Sequence, residues 1–235
     1  MSAANVLVGM VSSHESVRGL TPKSVLHEMS LEPIPLVVAK KIIVQNHYLH
    51  SLPGGTMLCF GVLLHGKLLG ALALGAGSFS AHSLVAGAKR DDCISLTRLW
   101  LSDELPHNAE SRVIGIVLRS LRRSTTLKFV VAYSDPTAGH IGYVYQASNW
   151  LYTGLSSAAP MYNFGDGIVR HSRSVGQIYG SHSIRRFALS GVNVELVMPP
   201  AKHRYVIFLD PDWRSRLAVL VLPYPKKEVA SSGNN

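Results

Sequence analysis

Strand and helix patterns alternate most clearly in residues 93–154, which read CISLTRLWLSDELPHNAESRVIGIVLRSLRRSTTLKFVVAYSDPTAGHIGYVYQASNWLYTG. Short apolar or alternating runs are typical of strands, and apolar residues at helical spacing are typical of helices. The pattern predicts strands at Cys93–Leu101, Lys128–Tyr133 and Leu151–Leu155, with helices at Asn108–Arg123 and Gly142–Trp150. Asn108 is expected to cap the first of these helices.

The flanking segments extend this pattern. Further predicted elements are a helix over Pro35–Leu49, a hairpin of strands Met57–Leu64 and Lys67–Leu74, a mobile loop from Gly75 to Arg90, a strand over His203–Leu209, and a strand or short helix over Trp213–Leu222. Alternating strands and helices predict an α/β domain with a mixed sheet. We expect an N-terminal segment (1–33), a single domain (34–222) with a basic region at about 160–190, and a disordered tail (223–235).

The chain is strongly basic. It has 23 lysine and arginine residues against 14 aspartate and glutamate residues, which gives a net charge of +9. Such an excess favours a polyanionic partner, nucleic acid first and an acidic membrane surface second. Arginines and aromatic residues interleave in residues 168–187, as in surfaces that contact phosphates and stack on bases. The predicted nucleic-acid contacts are Arg170, Arg173, Arg185 and Arg186, with a solvated basic loop as the alternative.

Several functional classes lack their signatures. Cys59 and Cys93 form no metal-ligand spacing and no disulfide framework, so both are expected to be buried free thiols in a reducing compartment. The glycine motifs of P-loop and Rossmann nucleotide sites are absent. Residues 57–79 are apolar enough to suggest a membrane span, but the central His65-Gly66-Lys67 favours a hairpin. We expect a cytoplasmic protein without membrane contact.

Four polar residues occupy positions that an ordinary core does not need. Arg98 lies in the middle of an apolar strand, and Asp135 follows the next strand, where ligands bind in α/β sheets. His140 lies in the loop that could bend back over Asp135, and Tyr145 lies on the short helix beyond it. A surface arginine, an Asp-Pro turn and a solvated histidine remain the structural alternatives.

A His-Tyr pair ends the first predicted helix. His47 and Tyr48 stand within Asn46-His-Tyr-Leu-His50. They either cap the helix or take part in chemistry, since imidazole and phenol groups are both proton donors and acceptors.

Residues 36–155 resemble one known family. The motifs that carry the resemblance are Asn46-His-Tyr-Leu-His50, Leu96-Thr-Arg-Leu-Trp100, Asn108-Ala-Glu-Ser-Arg112, the stretch Tyr133–Trp150, and Tyr152-Thr-Gly154. The order of elements resembles the centre of a GNAT acyltransferase, and the motifs resemble the Mom-type DNA adenine-modification proteins of phages within that superfamily. The resemblance implies an α/β fold with a GNAT-like mixed, mostly antiparallel sheet flanked by helices.

The resemblance also implies an activity. Mom-type proteins place a carbamoylmethyl-type group on the exocyclic amino group of adenine in double-stranded DNA, which protects phage DNA from restriction. Such an enzyme has to flip the adenine out of the base stack. Carried over by motif, the catalytic residues are Asp135, Tyr145, Arg98, Tyr48 and His47, and the donor-binding residues are Asn108, Ser111, Arg112 and His140.

Each catalytic residue has an expected role. Asp135 would hold the adenine amino group and remove its proton, and Tyr145 would protonate the leaving group. Arg98 would hold a carboxylate or phosphate of the donor, and Tyr48 would stack on or hydrogen-bond to the flipped base.

The donor and any metal stay open. Residues 107–114 contain no glycine and include Glu110, so the glycine-rich loop on which GNAT proteins rest the acetyl-CoA pyrophosphate is missing. An aminoacyl ester such as glycyl-tRNA is therefore an alternative to acetyl-CoA, with tRNA as a second nucleic-acid partner. His47, Asp135 and His140 would together satisfy a two-His-one-carboxylate iron site.

Three other functions remain as alternatives. One is an acetyl-CoA-dependent GNAT enzyme with another amine substrate, and another is a basic DNA-binding protein without enzymatic activity. A methyltransferase reading rests on Ser134-Asp-Pro136 but lacks a glycine-rich S-adenosylmethionine loop. No feature of the sequence predicts the oligomeric state.

Overall fold

The computed structural model describes residues 26–158 and 160–226. These residues group into two compact units. The first unit is drawn from Met1–Tyr133, Gly142–Gly154 and Arg204–Asn235, and the second from Ser134–Ile141 and Leu155–His203. The basic region expected at about 160–190 falls in the second unit, whereas most of the expected N-terminal segment and tail lie outside the described residues.

The elements follow one another closely along the chain. The strands are β1 (Ser30–Pro33), β2 (Thr56–Leu64), β3 (Lys67–Gly75), β4 (Cys93–Leu101), β5 (Phe129–Ser134), β6 (Leu151–Leu155), β7 (Met161–Asn163), β8 (Val169–His171), β9 (Glu195–Val197) and β10 (His203–Phe208). The α-helices are α1 (Leu36–Asn46), α2 (Ala109–Ser124), α3 (Tyr143–Ala147), α4 (Ser172–Tyr179) and α5 (Ile184–Leu189). Short 3₁₀ helices lie at Ala81–Leu84, Arg90–Asp92, Pro136–Ala138 and Pro211–Arg216.

A seven-stranded mixed sheet organises the first unit. Its strand order is β1-β2-β3-β4-β5-β10-β6, in which β1 to β4 are successively antiparallel and β4 is parallel to β5. β4 pairs with β5 over four positions only, from Cys93 with Phe129 to Leu96 with Ala132, and then runs on to Leu101. The predicted α/β fold with a mixed, mostly antiparallel sheet is confirmed.

Side-chain size on β3 explains where the helices pack. Leu72 and Leu74 join the cluster that contains the buried face of α2. Ala71 and Ala73 alternate with them and face the opposite side, where Ala39 and Ile43 of α1 pack against them. Because strand side chains alternate between faces, the small residues let α1 approach one face while the large ones fill the core under α2.

The second unit has its own small core. Its sheet has the order β8-β7-β9 with antiparallel pairing. Tyr162, Val175 and Phe187 are buried together, and Phe164 and Val194 pack against them. Its sequence is rich in turn-forming residues and has only short apolar runs, so no periodic pattern predicts these strands.

Most predicted elements are confirmed, with boundary shifts of a few residues. The stretch 57–79 forms strands β2 and β3 with the residues after them, and no helix among the described residues is long and apolar enough to cross a membrane. Both cysteines are free: Cys59 is buried as expected. Cys93 is only half-buried, and burial together with nearby carboxylates raises the pKa of its thiol to about 11.

Four local predictions are wrong. The loop between Gly75 and Arg90 contains a 3₁₀ helix, and its Leu84 and Val85 are buried in the cluster around Phe129, so this part of the loop is packed on the core. Residues 168–187, for which a solvated basic loop is the alternative to a nucleic-acid surface, contain β8, α4 and most of α5. Residues 217–222 are irregular, since the 3₁₀ helix before them starts at Pro211 and ends at Arg216.

The fourth concerns the start of α2. Asn108 occupies the cap position, but it has a left-handed backbone with φ of 69° and its side chain accepts no capping hydrogen bond. The first helical turn is tied instead by the Ser111 hydroxyl, which donates to the Asn108 carbonyl. No cap of the type expected from the sequence is therefore present at this end.

The C-terminal segment covers the edge strand β6. The backbone N–H of Leu222 donates to the Tyr152 carbonyl at 2.9 Å. The Tyr224 hydroxyl donates to the Trp150 carbonyl at 2.8 Å. The last strand of the main sheet thus has its outward carbonyl groups occupied by the same chain.

Gly142 is required by its backbone and by its surroundings. It has φ of 81°, and a Cβ built there would lie 2.4 Å from a ring carbon of Tyr205. Gly139 has a similar φ of 72° but nothing within 4 Å of an added Cβ. Comparing an alanine substitution at each glycine therefore separates the free-energy cost of the left-handed backbone from the cost of overlap with Tyr205.

We expect Gly142→Ala to lower the free energy of unfolding by about 2–4 kcal/mol, the sum of left-handed strain and overpacking. Gly139→Ala should lose only about 1–2 kcal/mol, from strain alone. Urea unfolding followed by tryptophan fluorescence compares the two variants. Equal losses would mean that the contact with Tyr205 costs nothing.

Candidate functional site

A β-bulge delivers Arg98 to one face of the main sheet. Ala73 pairs with Arg98 and Leu74 pairs with Leu96, so Thr97 is the extra residue of β4. Leu96 packs into the core under α2, and strict alternation would send Arg98 to the same face. With the extra residue, Arg98 lies opposite Ala73, on the face that α1 covers.

The guanidinium of Arg98 is held by the turn after α1. Its Nε donates to the Ser51 carbonyl at 2.8 Å, and a second nitrogen donates to the Ser51 hydroxyl at 3.2 Å. A third donates to the Thr97 carbonyl at 2.7 Å. Burial lowers the pKa of Arg98, partly offset by Tyr48, but an arginine stays charged in proteins.

Among the described residues Arg98 forms no ion pair, in contrast to the lysines and arginines that do. A half-buried cation bonded only to neutral oxygens keeps most of its attraction for an anion. This position therefore suits a carboxylate or phosphate.

The end of α1 brings a histidine and a tyrosine beside this cation. His47 is only 8% exposed, and its Nδ1 accepts the backbone N–H of Leu49 at 3.1 Å. A ring nitrogen that accepts carries no proton, so the neutral ring has its proton on Nε2. The rings of His47 and Tyr48 stack with centroids 4.5 Å apart, and Tyr48 is 45% exposed.

Tyr145 belongs to an aromatic cluster next to Tyr48. Its ring lies 5.2 Å from those of Trp150 and Tyr205. Burial, with Tyr48 and Tyr205 nearby, raises the pKa of Tyr145 well above its usual range. The phenol is therefore protonated at neutral pH and available as a hydrogen-bond donor.

The structure thus brings together four of the five predicted catalytic residues in the first unit: His47, Tyr48, Arg98 and Tyr145. Tyr48 links them, since it stacks on His47 and acts electrostatically on both Arg98 and Tyr145. A fixed cation, two phenols and a neutral imidazole can bind an anionic group, stack on a planar ring and donate a proton.

Asp135, the fifth, lies in the second unit at the start of a tight turn. Its Oδ1 accepts the backbone N–H of Thr137 at 3.0 Å and the Thr137 hydroxyl at 2.5 Å. Its Oδ2 lies 3.0 Å from Nζ of Lys202. Burial raises the pKa of Asp135, but the hydrogen bonds from Thr137 and the Lys202 ammonium together lower it below its ordinary value.

The turn brings His140 back to Asp135. The backbone N–H of His140 donates to the Asp135 carbonyl at 3.1 Å, and the Ser134 hydroxyl donates to the His140 carbonyl at 3.0 Å. Gly139 makes this possible with its left-handed backbone. Within residues 26–158 and 160–226, no group of three or more His, Cys, Asp or Glu side chains could hold a metal ion. His47 lies in the first unit and Asp135 and His140 lie in the second, so the iron site over these three residues stays a prediction.

The predicted donor residues at the start of α2 are arranged differently from a phosphate cradle. The Ser111 hydroxyl is bonded to Asn108, and Glu110 adds a negative charge to the first turn. Arg112 turns towards the N-terminal segment, where its guanidinium lies 3.4 Å from Nδ1 of His27.

The four predicted nucleic-acid arginines differ in their surroundings. Arg170 is neutralised, with two bonds to the Asp166 carboxylate at 2.9 and 2.5 Å and Phe164 beneath it. Arg185 and Arg186 are exposed on α5. Arg173 lies in α4.

The aromatic residues expected to stack on bases instead pack on one another. Phe164 and Tyr179 stack at 4.6 Å, and Phe187 meets both edge-on. Phe187 is buried in the core of the second unit. These rings stabilise the unit that carries the arginines, and of the three Tyr179 is the most exposed, at 44%.

Two residues that hold the predicted ones carry no functional signal in the sequence. Ser51 precedes the turn-forming Pro53-Gly-Gly55, which indicates only the end of a helix, and Lys202 stands in no motif. Both act on partners far away in the chain, namely Arg98 and Asp135. Such pairing depends on the fold, so single-sequence patterns do not reveal it.

Comparison with known proteins relates the chain to one protein family. The profile of the Mom protein family matches residues 28–226. The chain is 29% identical over 205 residues to the methylcarbamoylase mom of Escherichia phage Mu, covering 85% of this chain and 84% of that protein.

Solved structures of GNAT enzymes show a more distant likeness. A GNAT family acetyltransferase from Elizabethkingia anophelis with acetyl-CoA bound covers 77% of this chain and 98% of its own, with a TM-score of 0.42 and 9% identity. The spermidine N-acetyltransferase from Vibrio cholerae covers 78% of this chain and 95% of its own, with a TM-score of 0.44 and 9% identity. Since the family profile spans most of the chain, including both groups of residues described above, the chain belongs to the Mom protein family.

Proposed function

We propose that this chain is a transferase that modifies the exocyclic amino group of adenine in duplex DNA with a carbamoylmethyl-type group. Membership of the Mom family and the name of its phage Mu relative support the class of reaction. The observation that carries the proposal is the half-buried Arg98, without an ion-pair partner among the described residues, near Tyr48, which in turn acts on Tyr145. This arrangement suits an anionic or strongly polar donor and a flipped base.

In the proposed acyl transfer, the adenine nitrogen forms a bond to the carbonyl carbon of the donor, so a glycyl donor first gives a glycyl amide, the isomer of the carbamoylmethyl adduct in which the nitrogen is bonded to the methylene carbon. The bond from the carbonyl carbon to the oxygen or sulfur of the leaving group then breaks. Asp135 takes the proton that the nitrogen loses, and Tyr145 gives a proton to the leaving group. Asp135 is a weak base because its pKa is lowered, so it accepts the proton only once bond formation has made the nitrogen strongly acidic.

An aminoacyl ester such as glycyl-tRNA is the donor that the start of α2 favours. The acidic, glycine-free first turn of α2 disfavours a pyrophosphate such as that of acetyl-CoA. With this donor tRNA would be a partner beside duplex DNA.

The first test is mass spectrometry of nucleosides from plasmid DNA co-expressed with the protein. We expect a new deoxyadenosine adduct with the wild type, and about 10²-fold less with Asp135→Asn, which keeps the shape but removes the base. Asp212→Asn, at an exposed acid on the Pro211–Arg216 helix, is the matched control and should behave as the wild type.

The adduct also identifies the donor. A glycyl group and a carbamoylmethyl group contain the same atoms, so fragmentation rather than total mass separates them. An acetyl adduct would point to acetyl-CoA. Unmodified adenine from a folded, well-expressed protein would contradict the proposed function.

Arg98→Gln should reduce adduct formation by about 10²-fold, since it removes a fixed charge from a partly desolvated site. Arg98→Lys should recover only part of this rate, because an ammonium cannot reproduce the planar bonds to Ser51. Arg90→Gln is the control, an arginine stacked on exposed Phe79. Full activity in Arg98→Gln, at unchanged stability, would remove Arg98 from the mechanism.

For DNA binding, we propose that Arg185 and Arg186 contact phosphates, whereas Arg170 stabilises its own unit. Neutralising both α5 arginines to Gln should reduce the slope of log affinity against log salt by about 2, as expected for two lost phosphate contacts. Arg170→Gln should leave the slope unchanged because Asp166 already neutralises that charge. Fluorescence anisotropy of a labelled duplex over a salt series measures both. A larger change for Arg170→Gln would reverse the assignment.

A further inference from the structure

The contacts that the described residues make with the carboxylate of Asp135 leave one acceptor position open. An ionised carboxylate offers about four lone-pair positions. On Oδ1 two are taken by the N–H and the hydroxyl of Thr137, and on Oδ2 one faces Nζ of Lys202. The remaining position is therefore on Oδ2, the oxygen that Lys202 holds.

The backbone of Lys202 is fixed before β10. Its N–H donates to the Ser156 hydroxyl at 3.0 Å, and its carbonyl accepts the N–H of Ser156 at 2.7 Å. Only the side chain is partly open to solvent, with 38% exposed, whereas that of Asp135 is 11% exposed. Ser156, the residue after β6, thus fixes the backbone of Lys202, and the Lys202 ammonium lies against the nearly buried carboxylate of Asp135.

Stability alone does not explain where this pair lies. The partly exposed ammonium of Lys202 limits what the pair contributes to folding. Lys128 and Asp210 make a comparable pair in the first unit, with the same 3.0 Å separation and both side chains about 30% exposed. The two pairs differ in that Asp135 sits at the end of a central strand and is 8% exposed as a residue.

We propose that Lys202 is a positioning residue for the reaction: it keeps Asp135 ionised and turns the open position of Oδ2 towards the adenine amino group. This inference rests on the proposed function, in which Asp135 accepts the amino proton. Thr137 and Lys202 hold the two oxygens separately, so the carboxylate cannot rotate and exchange them without losing three bonds. As the proton arrives on Oδ2, the ammonium stays protonated and no further group is consumed.

The test uses three variants of the full chain, co-expressed with plasmid DNA, with the rate of adduct formation per amount of folded protein as the readout. Lys202→Met, which keeps length but removes charge and donors, should lower the rate about 10- to 100-fold through misplacement of the carboxylate. Lys202→Arg, which restores both, should recover most of it. Lys128→Met, which breaks the comparison pair, should keep the wild-type rate.

Duplex affinity of the purified variants separates positioning from binding, and it should stay within about twofold of the wild type. If Lys202→Met does not fold, Lys202→Gln, which keeps a donor without the charge, takes its place. A wild-type rate in the neutral variant, or no recovery in Lys202→Arg, would overturn the inference alone. If the wild type modifies adenine and Lys202→Met is equally active, the positioning role of Lys202 is wrong. If the wild type modifies nothing, the proposed function itself is wrong.

Discussion

The extra residue at Thr97 is the constraint on which the first group of site residues depends. Strand side chains alternate, so an unbulged β4 would direct Arg98 into the apolar layer with Leu96. The bulge is stabilised where it disrupts pairing, since the Thr97 hydroxyl donates to the Ala73 carbonyl and the Thr97 carbonyl accepts a bond from Arg98. One extra residue in β4 thus moves the Arg98 side chain from the core face of the sheet to the opposite face.

The charges of Arg98 and Asp135 have opposite kinds of surroundings. Arg98 is bonded only to neutral oxygens, so its charge is oriented but not cancelled. Asp135 has both oxygens occupied, one by Thr137 and one by Lys202, so its charge is stabilised and its pKa lowered. An uncancelled cation is suited to capture an anion, and a stabilised carboxylate is suited to accept a proton only late in a reaction. The two groups therefore have different chemical capacities, even though both are ionised.

Sequence patterns predict the central elements well because those elements are local. β4, α2, β5 and the strand β6 carry clear periodicity and capping or turn residues, so their positions follow from neighbours in the chain. No pattern predicts β1, whose four residues include a proline at the end and are strand only because they pair with β2. The small sheet of the second unit is missed for the same reason, since its strands are three residues long.

The same distinction between local and long-range features applies to the candidate site. Motifs indicate Arg98, Asp135 and Tyr145, because residue type and position at a strand end or short helix are visible in the sequence. The partners that set their properties are not visible. Ser51 accepts hydrogen bonds from Arg98, and Lys202 pairs with Asp135. Burial, with Tyr48 and Tyr205 nearby, raises the pKa of Tyr145. All of these partners are distant in the chain. Net charge likewise predicts a polyanionic partner but not that Asp166 cancels Arg170.

The segment laid over β6 has a consequence for how this chain behaves in solution. An open edge strand is a template for pairing with other chains and hence for aggregation. Here the carbonyls of Trp150 and Tyr152 are already engaged by Tyr224 and Leu222, so the sheet ends within its own molecule. A truncation before Leu222 would uncover this edge, whereas a fusion placed after Lys226 would leave it covered. The residues that cover β6 are thus also the ones that keep neighbouring molecules from pairing with this edge of the sheet.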